Sequence, residues 1–453
     1  MRGEGLARGP VVRRNTGIGL AAGLLLAGLL FLLPGDDEEP PEADCRPARV
    51  TGRQPDPALT GAFARYGNDN TRTDDWTGGD GTRSVRLPGG RTLWLSADTF
   101  LDRVHPGGRR VPQPSWVRNS ALVMTPDGHL DRTLLGTPAP DGRPAALFPG
   151  GATGDGREVW RWPVDAVVEP RSPGAAERVV RVLLWSREAG RPPWVFGVPR
   201  ATEVATLSLP GLALESIRPV HRPPPGTAPE RRVLYGTSAV PAGEWTYVFG
   251  ADEAGVHGGR ASRTYVARAP RGGLADPGVW RHWDGARWTA DAAAARPMVV
   301  RTAETGGSPE PAPGQAAADP GASGERHGFA TNTYTVTRHD GTWLLLSMDA
   351  GGPDGRPSQT VVSAWACRPQ GPWHGPHRAA APPLPPGGRE AGATAYNPQA
   401  HPEFTGADGR LLLGYDVNVT GGTAAVHRDV RLYRPRFLRL TLGPLDGAGA
   451  RVG

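Results

Sequence analysis

Carboxylates stand at recurrent places in this 453-residue chain, each where a short apolar run begins or ends. Asp80 closes the segment Asp74-Asp75-Trp76-Thr-Gly-Gly-Asp80, and Asp98 closes Leu93-Trp-Leu-Ser-Ala-Asp98. Asp165 follows Trp162-Pro-Val, Asp252 and Glu253 follow Tyr247-Val-Phe-Gly-Ala, Glu403 follows His401-Pro, and Asp416 follows Leu411-Leu-Leu-Gly-Tyr. Two carboxyl groups about 5–10 Å apart, one acid and one base or nucleophile, are what glycoside hydrolysis requires. Asp80, Asp165 and Glu403 are the candidates for that chemistry, with Glu403 beside His401 as the candidate acid. Trp76, Asp98, Trp162, Asn332, Tyr396, Asn397 and His401 are candidates to hold a sugar, since aromatic faces pack on C–H surfaces while polar groups read hydroxyls. Each has a structural alternative. Asp in a Gly-rich stretch is ordinary turn chemistry, His401-Pro402-Glu403 also suits a loop that fixes a strand, and Asp98 suits a buried acceptor of backbone N–H groups. Most of the 14 tryptophans should be packing residues.

These side chains need elements that gather them. Five apolar runs end alike: Thr92 to Asp98, Val182 to Glu188, Tyr247 to Asp252, Trp343 to Asp349 and Leu411 to Asp416. Each is a strand's length, carries an aromatic residue and ends on a carboxylate; the last four follow at about the size of a small sheet with loops. Repetition of a small sheet unit predicts an all-β, five-bladed β-propeller, a fold that brings carboxylates from several blades to one axis. Strands are expected at 84–87, 92–97 and 120–124 for blade one, and at 158–162, 179–185, 194–197 and 206–209 for blade two. Blade three should hold 233–236, 246–250 and 264–269, blade four 331–337, 343–347 and 361–366, and blade five 411–415 and 432–440. No amphipathic helix is expected in this part.

The hairpin of Asp80, Pro88-Gly-Gly90 and Leu93-Trp-Leu, with Trp162-Pro-Val-Asp165 after it, resembles the start of blades one and two in propeller glycosidases such as glycoside hydrolase family forty-three. Six segments in order carry a second resemblance: Trp76-Thr-Gly-Gly-Asp80, Leu93 to Phe100, Asn119-Ser120, Tyr265-Val-Ala-Arg268, Gly371-Pro-Trp373 and Tyr396-Asn-Pro-Gln-Ala-His401-Pro-Glu403. Together they resemble secreted bacterial propellers of the domain-of-unknown-function families 4185 and 5005, some relatives of which are endo-D-arabinanases. The resemblance implies a furanose polymer, of the arabinan class, as substrate. The family forty-three pattern is broken at one point: no Glu stands at the inner-strand position of its general acid.

Residues 1–15 are basic, 16–33 apolar and 34–60 rich in Pro and acid. Basic before and acidic after an apolar run predicts a membrane anchor with the rest of the chain outside; a cleaved signal segment is the alternative. Residues 61–443 should then form the propeller, 34–60 a spacer, 304–324 a surface insertion and 444–453 a tail. The only two cysteines, Cys45 and Cys367, lie on the outer side, where a disulfide is permitted but two free thiols are equally allowed. No spacing suits a structural metal, and no cofactor is expected. The net charge of +6 comes without a dense basic cluster, which argues against nucleic acid as a partner. Two functions remain in play: a glycoside hydrolase, or a propeller that binds carbohydrate or another partner without catalysis.

Overall fold

In the computed structural model, residues 45–72, 75–257, 261–301, 325–326, 329–350, 359–419 and 422–445 are described. The apolar segment 16–33, the insertion 304–324, Asp74 and most of the tail lie outside them. Among the described residues no helix is long and apolar enough to cross a membrane.

Five larger sheets follow one another along the chain, each with a core of successive antiparallel strands; in sheet four Val300–Arg301 adds in parallel outside Trp373–Ala380. Sheet one holds Arg83–Arg86, Thr92–Ser96, Ser120–Met124 and Leu130–Leu134; sheet two holds Glu158–Pro170, Arg178–Glu188, Val198–Leu207 and Leu214–His221. Sheet three runs from Leu234–Ala242 through Trp245–Ala251 and Thr264–Pro270 to Arg281–Trp283, and sheet four from Ala330–His339 through Thr342–Asp349 and Val361–Ala366 to Trp373–Ala380. Sheet five holds Ala393–His401, Leu411–Val419 and Arg436–Pro444. The first strand of each sheet packs against the first strand of the next, and that of sheet five returns to that of sheet one. The five runs singled out in the sequence are the second strands of the five sheets, so their closing carboxylates fall at one end of the ring.

The core is divided among the seams between sheets. Side chains alternate across each strand, so sheet two sends Val180, Val182 and Leu184 towards sheet one, and Leu183 and Trp185 towards sheet three. Similar clusters join sheets three and four, four and five, and five and one. This placement explains the apolar second strands: a strand buried on both faces reads as a continuous run.

Several expectations are corrected. Residues 48–60 are not spacer: Ala48–Pro55 is the outermost strand of sheet five, paired with Arg436–Pro444, and Pro57–Asn68 is a helix. Asp56 caps that helix by accepting from the Leu59 amide at 2.9 Å, Pro57 opens it, and Phe63 and Tyr66 bury between sheets five and one. Residues 194–197, expected as a strand, form turns, because Pro192-Pro193 stands before them and Gly197 closes them at φ +85°. The strand Val198–Leu207 fills the gap between the two expected at 194–197 and 206–209 and overlaps only the second, and Ala393–His401 was not expected at all. In the latter, Asn397-Pro398 breaks the alternation and the strand passes it with a bulge between Tyr396 and Gln399. Cys45, just before the first strand, is joined by a disulfide to Cys367, just after the third strand of sheet four, with Cα atoms 5.4 Å apart.

Candidate active site

A three-stranded ribbon of two-residue strands, Gly78–Gly79, Thr99–Phe100 and Trp116–Val117, lies beside sheet one. Its register pairs Gly79 with Thr99 and Thr99 with Val117. One step further along the same three segments stand Asp80, Asp98 and Arg118. Directly opposed residues of an antiparallel pair have Cβ atoms about 5 Å apart, so the ribbon delivers two carboxyls and a guanidinium to one place. The Asp80 carbonyl accepts from the Ala97 amide at 2.7 Å, which extends the pairing past its last ladder residues. Glycine is needed here: a Cβ on Gly78 would collide with the Tyr433 carbonyl, and one on Gly79 would lie 2.9 Å from the Trp76 indole nitrogen.

Asp80 has one oxygen held and one bare. Oδ2 accepts from the Tyr396 hydroxyl at 2.7 Å, whereas Oδ1 is buried without a hydrogen-bond partner. Burial raises the Asp80 pKa well above the carboxylate range, and the negative charges of Asp416 and Asp98 raise it further. Asp98 lives differently. Its side chain keeps 32% of its surface open, pairs with Arg118 at 3.7 Å and accepts from the Trp162 indole N–H at 2.9 Å. Burial raises its pKa as well, but Arg118 and Trp162 oppose that shift. The Tyr433 hydroxyl donates to the Asp98 carbonyl at 3.2 Å and lies close enough to Asp80 to favour its charged form.

Around this pair the ring is braced by buried charge. Asp416, from the second strand of sheet five, accepts from the Gly81 amide (2.7 Å), the Thr82 hydroxyl (2.9 Å) and the Asn397 amide (3.2 Å). Asn397 sits at φ +48°, a left-handed conformation that its bulge imposes and its bond to Asp416 helps hold. Arg83, 1% exposed, donates to the Val164 carbonyl at 2.8 Å and feels Asp416, Asp165 and Asp80. Trp162 is fixed from below: the Arg187 guanidinium lies 5.4 Å from its ring centre and is paired twice at 3.0 Å with Glu253, which also accepts from Asn332 at 3.2 Å.

The candidates named from sequence separate accordingly. Asp80, Asp98, Trp162, Tyr396 and Asn397 belong to one neighbourhood. Asp165 uses both oxygens on backbone amides, Ala166 at 2.8 Å and Ala239 at 2.6 Å, and so ties the inner strands of sheets two and three. Its pKa is raised to about 7, chiefly by burial. Glu403 stands towards the other end of the inner strands. From Asp80 onward, sheet one meets sheet five in order: Asp80 with Tyr396, Thr82 with Asp416, Ser84 with His401 and Glu403, and Arg86 with the Glu403 carbonyl at 2.8 Å. Glu403 accepts from the Ser84 hydroxyl, and burial raises its pKa to about 7. His401 is wholly buried with its ring 4.9 Å from Trp94, and burial lowers its pKa to about 3. Trp76 is buried edge-on to Phe63 and supports the ribbon from beneath. Asn332 reaches the site through Glu253 and Arg187.

Arg83, Arg118 and Tyr433 were not singled out in the sequence. Arg118 had a signal: it precedes Asn119-Ser120, whose Asn119 clasps the Phe148 backbone (2.8 and 3.0 Å) and the Arg161 carbonyl (2.9 Å). Arg83 and Tyr433 had none, since each is an ordinary residue until the ring brings it to the axis. Among the described residues no group of His, Cys, Asp and Glu is arranged to hold a metal ion.

A candidate hydrolase of Bacteroides ovatus, known from a crystal structure, shares the fold at a TM-score of 0.58 and 16% identity, over 86% of this chain and 90% of that one. The GH43_1 enzyme of Xanthomonas citri complexed with xylotriose superposes at a TM-score of 0.42 and 15% identity, over 86% of this chain and 94% of that one. The comparison with curated proteins finds no match. The family described as "Domain of unknown function (DUF5005)" matches residues 64–442, most of the sequence, and the chain belongs to that family.

Proposed function

We propose that the protein is a five-bladed propeller glycoside hydrolase that uses Asp80 as general acid and Asp98 as base or nucleophile. The observation that carries this is the placement of two carboxyls at successive ribbon strands in opposed surroundings. Burial and two neighbouring carboxylates raise the Asp80 pKa well above its usual value; burial raises that of Asp98 too, but Arg118 and an indole N–H oppose the rise and favour its ionised form. Two carboxyls with like charge beside one and a cation beside the other are how enzymes assign acid and base. The Asp80 carboxyl is then the group that hands a proton to the leaving oxygen of the scissile bond. Asp98 attacks the anomeric carbon or deprotonates the water that does, with Trp162 beside it to pack on the sugar ring. Asp165 and Glu403 are assigned a positioning role through the strands they tie.

The proposed substrate is a furanoside polysaccharide of the arabinan class, in keeping with the sequence resemblance, and the proposed location is outside the membrane on the anchor of residues 16–33. The test is hydrolysis of arabinan, arabinogalactan and aryl furanosides by the full chain and its variants. Asp80→Asn and Asp98→Asn should each keep the melting temperature and lower kcat by about 10²–10⁴-fold. Full activity in either variant removes that residue from the mechanism. A second reading, a carbohydrate-binding propeller without catalysis, is favoured by one observation: the inner strand of sheet three, Leu234–Ala242, carries no carboxylate. Tight sugar binding by a parent chain that hydrolyses none of the panel would establish it.

A further inference from the structure

Large hydrophobic side chains exposed singly on a surface need no explanation, but those among the described residues are not scattered. Trp116 (51% exposed), Val195 (66%) and Phe196 (59%) all connect to the candidate site through one stack. The Arg118 guanidinium lies 4.8 Å from the Trp116 ring centre and 4.3 Å from that of Trp160, and Trp160 stands edge-on to Trp162 at 5.8 Å. From the other direction, the turn that carries Val195 and Phe196 is tied down by Arg187, which donates to the Phe196 carbonyl at 2.8 Å and the Gly197 carbonyl at 3.0 Å. Gly197 lies against Trp160, so closely that a Cβ there would enter the indole ring. The same Arg187 lies beneath Trp162. Trp116 is itself fixed by the ribbon, where it pairs with Phe100 two residues from Asp98.

We infer that Trp116 and the Val195–Phe196 turn are binding positions for further sugar units of a polymeric substrate, on a ledge continuous with Asp98 and Trp162. This rests on the hydrolase reading for its central site and adds the units beyond it. The occupant follows from the surface chemistry. Rigid aromatic faces are interleaved with Arg118 and Glu158, which pair twice at 3.0 Å. Flat apolar faces beside charged hydrogen-bonding groups match a glycan chain, whose rings present C–H faces and hydroxyl edges alternately. The cation–π stack holds the aromatic planes in place before any ligand arrives, so little ordering cost remains to be met on binding.

The experiment uses the full-length Asp80→Asn chain, which binds without turnover, and calorimetric titration with arabino-oligosaccharides of two to six units. Xylo- and galacto-oligosaccharide series of the same lengths are run alongside. The expected result is a Kd that falls with length by about tenfold or more from the shortest to the longest binder. In the same background Trp116→Ala and Phe196→Ala should each remove part of that gain while leaving the affinity for the shortest binder unchanged. No gain with length in any series, or a gain unaltered in both variants, overturns the ledge; hydrolysis by the parent chain would still support the active site. Length-dependent binding lost in the variants, from a parent chain that hydrolyses nothing, upholds the ledge and sinks the hydrolase reading instead.

Discussion

Asp80 owes its chemistry to company as well as to burial. Four groups near it can be separated by their sign: Asp416 and Asp98 raise its pKa, and the Tyr396 and Tyr433 hydroxyls lower it by favouring the charged form. Tyr396→Phe removes a donor that stabilises the anion, so the Asp80 pKa should rise and the basic limb of the kcat/KM profile should move to higher pH. An unmoved limb, read on an aryl furanoside, would show that Asp80 is not the acid. Glu403 provides the contrast. Its folded pKa of about 7 stands above the value of about 4.3 for an exposed Glu, so the folded state keeps a proton that the unfolded chain releases. That contribution to stability is complete below about pH 4 and is lost as pH rises through about 7. Glu403→Gln keeps an acceptor for Ser84 and has no proton to lose, so thermal melts should show a flatter decline of stability across this window. Hydrolysis should survive in the variant; its loss would return the acid role to Glu403.

At the scale of elements, the ribbon and the opening of sheet two must be held in register for Asp98 to meet Trp162. Asn119 does this with three hydrogen bonds to backbone, two to Phe148 and one to the Arg161 carbonyl next to Trp162. Asn119→Ala leaves those groups buried without partners, at a cost of about 1–3 kcal/mol for each group left unsatisfied. Denaturant unfolding should therefore show a clear loss of stability, and hydrolysis should fall through kcat because Asp98 loses its fixed partner. A variant as stable and active as the parent would show that other contacts set the register. The elements also explain what could be read in advance. The second strands were legible because both of their faces are buried, which leaves unbroken apolar runs. Ala393–His401 was hidden because its bulge and Pro398 break the pattern at the point where Tyr396 and Asn397 turn to the axis. Asp98 could be noticed in the sequence, but its register with Asp80 could not: the pairing runs through two-residue strands whose glycines give no alternation to follow. The helix Pro57–Asn68 did carry a signature, with Asp56 as cap, Pro57 after it, and Leu59, Phe63 and Tyr66 on one face. The Pro-rich stretch before it masks that signature, and its first residues, 57–60, fall within the expected spacer.

Across the whole molecule, closure of the ring falls to the start of the chain. Strand Ala48–Pro55 completes sheet five from outside, so the last sheet is built from both ends of the sequence. The helix that follows fills the seam between sheets five and one, where Phe63 packs on Trp76, Trp94 and Phe437. A ring closed in this way opens by releasing that strand, and the disulfide from Cys45 to Cys367 resists the release by binding the strand's beginning to sheet four. The two cysteines are 322 residues apart, so the crosslink removes a large share of the freedom of the unfolded chain. Native disulfides typically contribute about 2–4 kcal/mol, more for long loops. Cys45→Ser, and separately Cys367→Ser, should lower stability by that order in thermal or denaturant unfolding, with the double variant no worse than either single one. Activity on a short aryl furanoside well below the melting temperature should be unchanged, because neither cysteine touches the ribbon or the inner strands. Equal stability of parent and variants under oxidising conditions would mean that pairing of Ala48–Pro55 with Arg436–Pro444 and the buried helix close the ring without help from the crosslink.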